Sequence, residues 1–128
     1  VVSLHEKSNA VFTAQQDASK KLVDQLDSLR ASIDGDYDSY NAGYDSLNSD
    51  IDNFNTRADN RDFGSAEQFN SERASLMSRQ NSLNAFYDSI TADVASYDDL
   101  VTKLEALNAT ISDLNKSINI KPRPDQGL

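Results

Sequence analysis

Apolar residues recur along this chain at intervals of three and four, in two long runs separated by a short polar break. The first run is Leu22, Leu26, Leu29, Ile33, Tyr37, Tyr40, Tyr44, Leu47, Ile51, Phe54 and Ala58. The second is Phe69, Leu76, Leu83, Tyr87, Ile90, Val94, Tyr97, Leu104, Leu107, Ile111, Leu114 and Ile118. A repeat averaging about 3.5 residues keeps one narrow stripe of a helix turned toward a partner. The pattern predicts an all-α chain, folded as a long antiparallel two-helix coiled-coil hairpin that is able to pair with a second copy into a four-helix bundle. The expected helices cover about 3–61 and about 66–119, with a turn at 62–65. Pro122 and Pro124 then turn 121–128 into a linker.

The first twenty-one residues keep only a weak stripe, interrupted by Ser8 and Gln15. From Leu22 the steps alternate until two fours meet around Ile33 and Tyr37, a local stutter that relaxes a left-handed supercoil. Gly35 and Gly43 sit in and after that stutter, so the softest part of the first helix is expected there.

At the break, Gly64 offers a left-handed residue to end the first helix. Ser65 and Gln68 have the spacing of a capping box, and Phe63 is placed to fold back over the helix ends. A reversal near 63–64 sets residue i opposite roughly residue 127 − i for two helices of equal pitch. Tyr40 then faces Tyr87, Ile33 faces Val94, and Ala58 faces Phe69.

Composition narrows the function classes. The formal charge of −9 works against nucleic acid and against anionic membrane surfaces, both of which require clustered Lys and Arg. No stretch of about 18 apolar residues exists to span a bilayer. There is no Cys, which removes thiol chemistry and thiolate metal sites. The chain starts at Val1 without Met and ends in a Pro-containing segment, so we expect a portion of a longer protein.

Few residues offer chemistry. His5-Glu6 opens like a zinc-protease helix, but position 9 is Asn and the chain has one His. Asp34-Gly35-Asp36-Tyr37-Asp38 starts like a calcium loop, yet Ser39 and Asp45 stand where the loop requires Gly and Glu. We expect an acidic helical face, no catalysis, no cofactor and no metal. Tyr37, Tyr40, Tyr44 and Tyr87 have seam spacing, and they also qualify as an aromatic patch for a partner. Tyr40-Asn41, Leu47-Asn48 and Phe54-Asn55 repeat at seven residues, as do Leu107-Asn108 and Leu114-Asn115. Asn108 and Asn115 either enter the seam and fix its register or lie on a solvated flank. Both also begin glycosylation triplets, Asn108-Ala109-Thr110 and Asn115-Lys116-Ser117.

The run from Tyr40-Asn41 to Phe54-Asn55, the short turn, and Phe69-Asn70-Ser71-Glu72-Arg73-Ala74-Ser75-Leu76 resemble a helical hairpin of bacterial envelope proteins. Leu83-Asn84, Leu107 through Asn115, and Ile118-Asn119-Ile120 continue the resemblance, which covers roughly residues 36–120. Some of those proteins carry a matrixin-like zinc-protease domain after the hairpin, but its metal-binding helix is absent from this sequence. The resemblance implies a non-catalytic, extracytoplasmic arm. Two functions follow as expectations. One is a spacer, stalk or docking arm that contacts a protein partner or a second copy. The alternative is an auxiliary positioning or regulatory domain of an envelope hydrolase whose catalytic part lies outside these residues.

Overall fold

Prolines occur only at positions 122 and 124, so nothing upstream removes a backbone donor from a helix. The computed structural model describes residues 4–119. It shows two helices, α1 (Leu4–Asp59) and α2 (Ala66–Asn119), packed against each other as an all-α hairpin. The helix start expected at Ser3 and the linker expected at 121–128 lie outside the described residues. The helix runs unbroken through Asp34–Asp38, the segment that opens like a calcium loop.

The described chain divides into two units. One is Ala31–Ala95, which contains the turn. In it, α1 shields Ile33, Asp36, Tyr40, Gly43 and Leu47, then Ile51 and Phe54. This corrects the expected phase. Asp36 and Gly43 hold the seam positions assigned above to Tyr37 and Tyr44, which remain 38% and 48% exposed. Flanking Ile33 and Leu47, both buried, keep a strict alternation of three and four, and that alternation leads through positions 36 and 43. The two successive fours therefore fall later, at Gly43–Leu47–Ile51, where Asp50 turns outward.

Opposite them, α2 shields Phe69, Glu72, Leu76, Leu83, Phe86, Ile90 and Asp93. Ile90 is the most enclosed side chain, at 1% exposure. Gly43 has a packing role: a Cβ there would lie 3.2 Å from Leu83 Cδ1, so glycine admits the bulk of α2. Two ion pairs bridge the helices, Arg57 Nη2 to Glu72 Oε2 at 2.7 Å and Arg79 Nη1 to Asp50 Oδ2 at 2.6 Å. In both, the residue numbers add to 129. Asp36 and Asp93, both half-buried, put one carboxyl-bearing side chain at a seam position of each helix.

The turn differs from expectation in its left-handed residue and in its cap. Among the described residues no glycine takes positive φ; Arg61 does, at 54°. The Asp62 N–H donates to Arg57 O at 2.8 Å and the Arg61 N–H to Ala58 O at 3.1 Å, the paired bonds of a Schellman ending. Helix α1 thus ends at Asp59, and Gly64 serves the next helix instead. Its N–H donates to Gln68 Oε1 at 2.8 Å, while the Gln68 N–H donates to Ser65 Oγ at 3.1 Å. The capping box closes one residue earlier than the usual pattern, on Gly64 rather than on Ser65. Phe63 folds back as expected, with its ring 5.3 Å from Phe54 and 5.1 Å from Phe69.

These details predict two gains in stability. A non-glycine residue in the left-handed region costs roughly 1–2 kcal/mol, so Arg61→Gly is expected to stabilise the hairpin by up to about 1 kcal/mol after the added chain entropy is counted. A Cβ at Gly35 would meet nothing within 4 Å. Gly35→Ala is therefore expected to add about 1 kcal/mol, the helix-interior difference between the two residues. Urea unfolding followed by circular dichroism at 222 nm measures both.

The second unit comprises the described parts of Val1–Arg30 and Ser96–Leu128. Its α1 stripe is Phe12, Gln15, Ser19, Leu22, Leu26 and Leu29, so the alternation reaches back beyond Leu22. From α2 come Tyr97, Leu100, Leu104, Leu107, Ile111 and Leu114. Leu26 is its most enclosed apolar side chain among the described residues, at 7% exposure. Polar groups loosen this seam: Gln15 Oε1 is shielded without a hydrogen-bond partner.

Candidate interaction surface

The heptad phase of residues 31–95 gives the hairpin two unlike edges beside its seam. Along one edge α1 places Tyr37, Tyr44 and Ile51, and α2 places Gln80, Tyr87 and Val94. The other edge carries Ser32, Ser39 and Ser46 from α1 with Ser75, Ser82 and Ser89 from α2.

Three of the four tyrosines singled out from the sequence meet at the first edge. The Tyr40 ring lies 5.5 Å from Tyr87 and 6.1 Å from Tyr44, nearly parallel to the latter at 28°. Tyr40 and Tyr87 are the pair expected from the 127 − i register. Tyr40 is half-buried and acts as the base of the group. Tyr44 and Tyr87 stand above it, 48% and 47% exposed, and Tyr37 lies one heptad along. Met77, 48% exposed, continues the apolar surface toward the turn, where a small recess of ≈ 150 Å³ includes Ile51, Leu76 and Met77.

The serine edge holds a groove of ≈ 480 Å³ beside Gly43. Leu47, Leu83 and Phe86 form its apolar floor and Ser39, Ser46, Ser78 and Ser82 its rim. The absent side chain of Gly43 opens this space.

Charge separates the two units. Residues 31–95 hold 12 of the 21 acidic side chains and 4 of the 12 basic ones. All four are arginines near the turn, and Arg57 and Arg79 are held in the ion pairs described above. Residues 31–56 contain six aspartates and no Lys or Arg; residues 80–95 contain two aspartates and no Lys or Arg. The tyrosines of the edge lie within this cation-free zone, and Arg73 joins Ile51 and Met77 at the end of the edge nearest the turn.

The remaining candidates are apart from that edge. Phe63 is half-buried in the turn, with the Arg57 guanidinium 4.5 Å from its ring centroid. Asn108 is on an exposed flank and accepts a hydrogen bond from Ser19 Oγ at 2.9 Å, so it ties the second unit together from outside the seam. The side chains of Asn115 and His5 lie outside the described residues. Among the described residues no group of three or more His, Asp or Glu side chains is gathered to hold a metal ion, and no helix is long and apolar enough to cross a membrane.

Sequence reasoning missed the serine-rimmed groove, which had no readable signal until the phase placed Gly43 in the seam. Each exposed tyrosine of the edge precedes an aspartate, Tyr37-Asp38, Tyr44-Asp45 and Tyr87-Asp88, but the next residue of a helix lies about 100° round it, so these carboxylates face away from the edge. Comparison with known proteins matches no family model, no curated protein and no solved structure.

Proposed function

We propose that this chain is a non-catalytic protein-interaction module, a hairpin arm that docks a partner along one edge of residues 31–95. The supporting observation is the side-by-side exposure of Tyr37, Tyr44 and Tyr87 on an edge whose opposite number is lined by serines. Tyrosine offers a large rigid apolar face with a polar tip, which suits contact that is wet when free and dry when bound. The resemblance to bacterial envelope hairpins supports an arm of a larger extracytoplasmic protein.

Photo-crosslinking tests the reading. A benzophenone amino acid at Tyr44, and separately at Ser46 on the other edge, is introduced into the protein in its own cells. Discrete adducts from position 44 and none from position 46 are expected. Equal labelling from both edges, or none from either, contradicts the proposal.

A further inference from the structure

We draw no further inference here: the strongest candidate, the serine-rimmed groove that Gly43 opens beside the seam of residues 31–95, is an unpartnered apolar face rimmed by small residues, and nothing in the structure shows what covers it.

Discussion

Ile90→Ala is expected to lower the unfolding free energy by about 3 kcal/mol, within the range of 2–5 seen for removing a large aliphatic side chain from a core. Ile90 is the most enclosed side chain of the described residues, at 1% exposure, and the unit around it has little else that is fully shielded. Ile33 and Leu47 are its fellow buried aliphatics, at 8% and 5%. A two-helix seam cannot close over a hole from several sides, so the lost contacts stay lost. Ile90→Val removes one methylene and is expected to cost about 1 kcal/mol. Urea unfolding with an unchanged denaturant slope would confirm that the native packing, and not the unfolded chain, carries the difference.

The second large effect lies at the turn. Phe69 touches Phe54 at 5.1 Å and Phe63 at 5.1 Å, edge to face with the latter. Phe69→Ala breaks two of the three ring contacts at once. Each aromatic pair contributes about 0.5–1.5 kcal/mol beyond buried area, so a total loss of about 2–3 kcal/mol is expected for this half-buried ring. The Schellman bonds and the capping box remain available without the ring, but Phe63 is then held over the helix ends from the α1 side only, by Phe54 and Arg57. Faster amide exchange at Arg61, Asp62 and Gly64 is the local readout, because the N–H groups of all three are bonded within the turn. Phe69→Leu keeps most of the apolar volume and is expected to lose less than half as much.

Both effects bear on how far the sequence discloses the structure. The long runs at three- and four-residue spacing and the polar break were enough to specify two helices and a reversal. The mirror relation was also legible, and Tyr40 does meet Tyr87. What the runs did not disclose was the phase between Ile33 and Leu47. Asp36 against Tyr37, and Gly43 against Tyr44, are choices between a polar or absent side chain and an aromatic one. Hydrophobicity favours the aromatic, whereas helix geometry favours whichever position keeps the alternation, and geometry prevailed because the aliphatics on both sides were already fixed.

The turn carries the same lesson. Gly64 was the residue best suited to a left-handed ending, but the bonds from Arg61 and Asp62 to Ala58 and Arg57 close the helix three residues earlier. The candidate surface was half legible. Its tyrosines stood out by spacing, but seam spacing could not tell packing from exposure. The structure divides them between the two roles: Tyr40 is the half-buried base, and Tyr37, Tyr44 and Tyr87 form the exposed face.

The central claim is that residues 31–95 double back, so that α1 and α2 lie side by side in opposite directions. The absence of cysteine allows spin labels to be placed at will. Asn41→Cys and Asp88→Cys put one label on an exposed position of each helix, with residue numbers that add to 129. Diluted with unlabelled protein, the pair is expected to give a double electron–electron resonance distance of roughly 20–30 Å, from helix axes about 8–10 Å apart plus the label arms. A single helix running through the turn would instead separate them by about 70 Å at 1.5 Å per residue, and a distance near that value would contradict the hairpin.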